Sequence, residues 1–232
     1  HGFGSFCLAG DAMPSDGDTL ADQLTVNPAY LLDEDAFVAD LLAKLGPVPA
    51  YFASMAGRNT AGPLAADLAA PPLLSLEQVA RLAAAGTWVV DVRPREEFAA
   101  AHVPGSINVD ATGPVATWTG WVVPVDEPIV LVANDHDQLA RAQRELTRIG
   151  VDHAAGALVG TIPLLRRGSL RRVGFREVAR AGARPDRPML LDVRTDQEWR
   201  SGHVRGARHL PAYDAGTADV SNTNREWVVN GV

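Results

Sequence analysis

The sequence predicts an α/β protein built on an open parallel sheet with helices on both faces. Three observations carry that expectation. Short apolar strand-like runs alternate with amphipathic helical patterns, the order that builds a covered parallel sheet. One run, "PIVLVA" at residues 128–133, is apolar without a break, as a strand buried on both faces should be. The pattern also occurs twice: "WVVDVRPREEFAAAHVPGSINV" (88–109) aligns with "MLLDVRTDQEWRSGHVRGARHL" (189–210) at an offset of 101 residues. Seven identities stay in register: Asp91/Asp192, Val92/Val193, Arg93/Arg194, Glu97/Glu198, His102/His203, Val103/Val204 and Gly105/Gly206. A domain-sized period is too long for a solenoid.

The elements follow in order. Ser75 is placed to cap a helix carrying Leu76, Val79, Ala80 and Leu82 on one face. "TWVVDV" between Gly86 and Pro94 reads as a strand. "REEFAAAH" is a short helix stopped near "VPG", and "SINV" a second strand. After the third strand at 128–133, Asp137 is expected to cap a helix with Leu139, Ala142, Leu146 and Ile149 on its apolar face, ended by Gly150. "HAAGALVG" supplies the last strand of the first copy. The second copy repeats this only as far as Leu210, because 22 residues remain where the first copy uses about 50 after Val109. That tail is polar and shows no periodic helix, so the second copy is expected to be a half-domain with an unfinished sheet and an open edge beside residues 190–193.

Bulk properties exclude several classes. With 47% hydrophobic and 21% charged residues, the 232-residue chain has the composition of a globular protein of one large or two ordinary domains. Its net charge of −7 argues against a nucleic acid or an anionic membrane surface as the main partner. No apolar run approaches the roughly 20 residues of a membrane span. One cysteine, Cys7, permits no intrachain disulfide, and no signal peptide is visible, so a cytoplasmic location is expected. Chains are initiated with methionine, whereas this one begins "HGFGSFC"; a fragment or processed product of a longer parent is expected.

"DVRPREEFAAAHVPGSINV" and "DVRTDQEWRSGHVRGARHL" each resemble the first half of a rhodanese-like domain. The resemblance covers residues 73 to about 163 in the first copy and about 171–211 in the second. It implies, for active members, a persulfide carried on a cysteine at the end of the third strand, cradled by the backbone N–H groups of the following loop. A thiolate at a helix N-terminus has a lowered pKa and is the nucleophile. Here the aligned position is Ala133, and the loop is Asn134, Asp135, His136, Asp137 and Gln138. It holds no thiol, and its two carboxylates oppose an anionic sulfur and an anionic donor alike. The loop is therefore read as a degenerate site and a capped helix start, with Asp137 or Asp135 accepting backbone N–H bonds. An Asp/His dyad from Asp135 or Asp137 with His136 is disfavoured, because adjacent side chains rarely point at each other. No sulfurtransferase activity is expected. Asp91, Arg93 and Glu97, with Asp192, Arg194 and Glu198, are read as scaffold at the strand-to-helix corner rather than as catalytic clusters. His102 and His203 suit the negative end of a helix dipole, and no metal-ligand spacing is present.

The N-terminal segment differs in character. Residues 33–45 read as a helix capped by Asp33, with Phe37, Val38, Leu41, Leu42 and Leu45 on one face. "GPVPAYF" reads as an extended segment, "NTAGP" as a turn and "LAADLAAPP" as a linker. The segment resembles the C-terminal end of a metallo-β-lactamase-fold hydrolase of the persulfide dioxygenase and glyoxalase II branch, which is often fused to rhodanese domains. That resemblance implies a metal-site role for His1 in a full-length parent holding iron or zinc; this chain alone is expected to hold no cofactor. Cys7 is read as an incidental thiol.

The expected organisation is thus a metallo-β-lactamase-fold remnant (1–64), a linker (65–72), a rhodanese-like domain without its cysteine (73–165) and a partial second one (171–232). The expected function is a non-catalytic module in persulfide or glutathione-thioester metabolism. Its partners would be the upstream metallo-β-lactamase-fold domain and small thiols or persulfides. The rivals are a working sulfurtransferase and a purely structural or regulatory interaction domain.

Overall fold

The computed structural model describes residues 19–45, 47–49, 51–62, 68–124, 126–152, 154–162, 168–182, 189–214 and 227–230. His1 and Cys7 lie outside them. The chain divides into two compact units, the first ending at Val48 and the second starting at Pro49.

The first unit holds α1 (Leu20–Val26), α2 (Pro28–Leu31) and α3 (Glu34–Lys44). Each starts on a side-chain cap that satisfies an orphan amide: Thr19 in a capping box with Asp22, Asn27 ahead of Pro28, and Asp33 accepting from the Ala36 N–H. The α3 cap is the one expected from sequence. Its apolar face is only partly covered, however: Phe37 and Leu41 are half-buried, while Val38, Leu42 and Leu45 are 44%, 62% and 48% exposed. Neither α1 nor α2 buries a residue.

The second unit opens with α4 (Phe52–Ala61). This helix runs through Asn59, Thr60 and Ala61, where a turn was expected, and stops at Gly62. Arg58 donates to the Gly150 carbonyl at 3.1 Å and faces Asp126 and Asp152, so α4 packs with the domain that follows it. That domain comprises α5 (Leu76–Ala84), β1 (Trp88–Asp91), α6 (Arg95–Ala100), β2 (Ile107–Asn108), α7 (Val115–Val122), β3 (Ile129–Ala133), α8 (His136–Thr147) and β4 (Gly156–Val159). The sheet is wholly parallel in the order β2-β1-β3-β4. All five residues of β3 are buried. Ile129, Leu131 and Ala133 face one core with Val115, Leu139, Ala142 and Leu146 of α7 and α8. Val130 and Val132 face the other, with Val79 of α5 and Val103. This is why the run reads as unbroken apolar sequence: both faces are covered.

The second repeat contains α9 (Phe175–Gly182), β5 (Met189–Asp192), α10 (Asp196–Ser201), β6 (Arg208–His209) and β7 (Trp227–Asn230). Here the sequence expectation fails. The sheet beside residues 190–193 is not left open, because β7 pairs parallel with β5 over Met189–Asp192, giving the order β6-β5-β7. Trp227 stands opposite Met189 as Ile129 stands opposite Trp88. The third strand was hidden because its Trp-Val-Val triplet sits in a polar tail and arrives 38 residues after its partner rather than 41.

Two substitutions measure the contrast between the units. Leu131→Ala, at a fully buried site, is expected to cost about 2–5 kcal/mol in urea unfolding. Leu42→Glu is expected to change stability by less than about 0.5 kcal/mol, because its side chain is not part of a core in this chain.

Candidate functional site

In an open α/β sheet, chemistry belongs to the carboxyl ends of the strands. In the first repeat those ends are held by a buried ion pair. Asp91, the last residue of β1, is fully buried, and Arg93 is 3% exposed. The Arg93 Nε and one terminal nitrogen donate to the two Asp91 oxygens at 3.0 and 2.7 Å, and the Arg93 amide donates to Oδ1 at 3.0 Å. The same terminal nitrogen reaches the Ala101 carbonyl at 2.7 Å, tying the strand end to the end of α6. Asp192 and Arg194 repeat the arrangement, with Gly202 supplying the carbonyl at 2.9 Å.

Glu97 and Glu198 are not part of these clusters. Glu97 is exposed in α6. Glu198 closes a capping box with Thr195, a role for which the first repeat has no equivalent because Pro94 replaces the threonine. His102 and His203 each bring Nδ1 to the carbonyl four residues back, Phe98 at 2.8 Å and Trp199 at 3.0 Å, and stack on the same residue's ring. They sit at helix ends as their position suggested. Gly105 and Gly206, at φ +85° and +82°, occupy the third place of a four-residue turn that needs left-handed backbone.

Asn108 was not singled out from sequence. Its amide nitrogen donates to the carbonyls of Asp91 at 2.8 Å and Arg93 at 2.9 Å, closing the corner from β2. Its counterpart at the repeat offset, His209, donates from Nε2 to the Arg194 carbonyl at 2.8 Å. A polar residue at the same place in both copies, next to the apolar Val109 and Leu210, was the available signal. Asp110, just beyond β2, also acts locally. Burial pushes its carboxyl pKa up, but hydrogen bonds from the Thr112 amide and hydroxyl and the Arg95 amide outweigh this, so it is lowered from its ordinary value.

The loop after β3 is compact. Ala133 is fully buried and faces the α7/α8 core. Asp135, not Asp137, is the N-cap of α8, and its Oδ1 accepts from the Gln138 amide at 2.7 Å. The Gln138 side chain, almost wholly buried, reaches back to accept from the Asn134 amide at 2.8 Å. Asp-x-x-Gln is a capping signature, and its spacing selects Asp135 over Asp137. His136 and Asp137 open the helix as exposed residues. A groove of about 600 Å³ lies at the other end of α8, lined by Tyr51, Phe52, Met55, Pro114, Arg148 and Ile149, away from this loop. Among the described residues no three His, Cys, Asp or Glu side chains converge to hold a metal, and no helix is long and apolar enough to cross a membrane.

A family model for the rhodanese-like domain matches residues 75–162 and again 176–229, together more than half of the chain. The chain belongs to the rhodanese-like domain family. The second rhodanese-like match extends beyond the expected limit near 211 and takes in β7. No curated protein sequence matches the chain. Among solved structures, a metallo-β-lactamase from Staphylococcus aureus subsp. aureus COL is similar at 23% identity and TM-score 0.46, over 60% of this chain and 39% of that one. A thiosulfate sulfurtransferase from Pseudomonas aeruginosa is similar at 20% identity and TM-score 0.34, over 70% of this chain and 38% of that one. A rhodanese with anions from E. coli aligns at 23% identity and TM-score 0.27, over 38% of this chain and 95% of that one. The chain spans well under half the length of the first two.

The two rhodanese-like corners differ in burial, and this is measurable. Arg93→Ala strands a buried carboxylate and is expected to cost about 3–5 kcal/mol. Asp192 is as buried as Asp91, but Arg194 is 21% exposed, so water can take the place of its guanidinium and Arg194→Ala should cost clearly less in the same denaturant titration.

Proposed function

We propose that the first repeat, residues 73–165, is a non-catalytic rhodanese-like module of a metallo-β-lactamase-fold/rhodanese fusion. It would act in persulfide or glutathione-thioester metabolism by docking or positioning rather than by sulfur transfer. One observation carries this reading. The loop that would cradle a sulfur anion has no thiol at Ala133, and two of its amides are already engaged, Asn134 by Gln138 and Gln138 by Asp135. The second repeat offers no substitute at the matching place, since Gly231 follows Asn230 as Ala133 follows Val132.

The uncovered apolar side chains of α1–α3 support a partner surface in the first unit. The resemblance of the segment beginning "HGFGSFC" makes the metallo-β-lactamase-fold domain that partner. Iron or zinc would belong to that domain. His1 alone cannot hold a metal, since a site needs three or four converging ligands, so no step on this chain runs through one.

The test is a cyanide-dependent thiocyanate assay with thiosulfate. Wild type and Ala133→Cys are both expected to be poor. Ala133→Cys combined with Asp135→Gly and Gln138→Ala frees the two amides and should raise the rate at least tenfold over the single variant. Loss of the caps should lower stability by about 1 kcal/mol. Activity in the wild type would overturn the non-catalytic reading. A single variant equal to the triple would show that the engaged amides are not the barrier. Amide shifts at 134–138 on titration with a glutathione persulfide analogue separate a binding module from a purely structural one.

A further inference from the structure

The chain between the two repeats is fastened to the first one as an added strand. Gly168 and His102 form an antiparallel bridge. The His102 amide donates to the Gly168 carbonyl at 3.1 Å, and the Gly168 amide to the His102 carbonyl at 2.9 Å. The Leu170 amide donates to the Ala99 carbonyl at 2.8 Å. Gly168 lies against the His102 imidazole, and a Cβ there would run into Nε2 and its neighbouring carbons. Arg172, two residues past Leu170, pairs with Glu96. Under this strap Ala99 and His102 are each 8% exposed.

The second repeat carries the same seat. His203 stacks on the ring four residues back and brings Nδ1 to that residue's carbonyl, as His102 does. Here, however, Arg200, Gly202 and His203 are exposed. Among the described residues, the His203 amide and carbonyl and the Arg200 carbonyl have no hydrogen-bond partner. These are the three backbone groups that the first repeat satisfies with its strap. The charges at the seat also change. At the repeat offset Glu96, Ala99 and Pro104 become Gln197, Arg200 and Arg205. The carboxylate that holds Arg172 has no counterpart. Two exposed arginines, without an ion-pair partner among the described residues, lie on the seat or within two residues of it. The nearby carboxylates are engaged: Glu198 accepts from the Thr195 amide and hydroxyl, and Asp196 from the Tyr213 hydroxyl.

We propose that the edge from Arg200 to His203 is a docking site for an extended acidic segment of a partner protein, with glycine opposite His203 and carboxylates after it. Strand addition draws affinity from backbone hydrogen bonds and leaves selectivity to side chains. Selectivity here has two sources. The imidazole leaves no room for a side chain at the bridge, as at Gly168. Arg200 and Arg205 favour carboxylates where the strap carries Arg171 and Arg172. The chain's own strap sequence does not suit this second seat, because its arginines would meet arginines. The net charge of −7 does not cancel the local pairing, since charges more than about 8 Å away are largely screened at physiological salt.

The test is an amide NMR titration of the full chain with short peptides blocked at both ends. Gly-Ser-Leu-Glu-Glu is expected to shift the amides of Arg200 to Val204 saturably by about 5 mM. It should leave the amides of Ala99 to Val103, already held by the strap, in place. Ala-Ser-Leu-Glu-Glu is expected to bind at least about fivefold more weakly. Gly-Ser-Leu-Arg-Arg, the strap's own sequence, should bind at least about threefold more weakly. In a chain carrying Arg200→Glu and Arg205→Glu, both exposed positions, the order of the acidic and basic peptides should reverse. No saturable shift at residues 200–204 overturns the docking site. Equal binding of the alanine peptide overturns the glycine seat, and equal binding of the basic peptide overturns the acidic partner. Shifts at these amides that grow with protein concentration alone place a second copy on the edge and overturn the foreign partner.

Discussion

A carboxylate at the end of a buried strand is the constraint around which each repeat is arranged. Asp91 has no access to water, so its charge must be met inside the protein. Arg93 meets it from two residues away, and the guanidinium fork has donors to spare. One of those donors takes the Ala101 carbonyl, which fixes where α6 ends relative to β1. Asn108 then satisfies the carbonyls on either side of Val92, which fixes β2. Removing Arg93 alone would leave the Asp91 charge and the Ala101 carbonyl at the helix end unsatisfied at once. Such a pair adds specificity of geometry more than net stability. The same donors and acceptors recur around Asp192, so the corner is a unit rather than a set of independent contacts.

This explains what the sequence could reveal. Residues that must meet at fixed distances keep fixed spacing, and so Asp-x-Arg, the helix-end histidine and the turn glycine announced the fold and its repetition. Elements held only by apolar contact left weaker marks. The α7 helix was not foreseen, because "VATWTGWV" has no polar face to set a period and contains a glycine. The β7 strand is specified by three residues and a partner far away in sequence, and its connection is shorter than that of β3. The cap of α8 stayed open between two residues for another reason: Asp135 and Asp137 are chemically alike, and only the partner at Gln138 distinguishes them. Asn108 was legible in principle, through its pairing with His209 at the repeat offset, but its role needs the geometry of both carbonyls.

The first unit separates local from tertiary specification. Thr19, Asn27 and Asp33 define three helix starts by side-chain hydrogen bonds within a few residues, and those starts are realised. Caps specify where a helix begins and say nothing of what it packs against. The apolar face of α3 has the helical period but not the burial that usually accompanies it. In the second unit α5 and α8 segregate apolar from polar residues far more sharply than α3 does, and there Val79, Leu139, Ala142 and Leu146 are enclosed. The difference in burial thus follows a difference already present in the sequence pattern.

The loop after β3 shows how a fold can outlast its chemistry. A helix that starts at the carboxyl end of a buried strand presents amides with no intrahelical acceptor, whatever the protein does. In a persulfide-carrying loop a sulfur anion can serve as that acceptor. Without a cysteine the amides still require one, and leaving them bare in a half-buried loop costs about as much as a lost hydrogen bond. Asp135 and Gln138 supply acceptors from within the chain, at 2.7 and 2.8 Å. The substitution stabilises the strand-to-helix junction and closes the site by the same two bonds. Restoring the thiol alone would therefore leave both amides committed to acceptors within the chain.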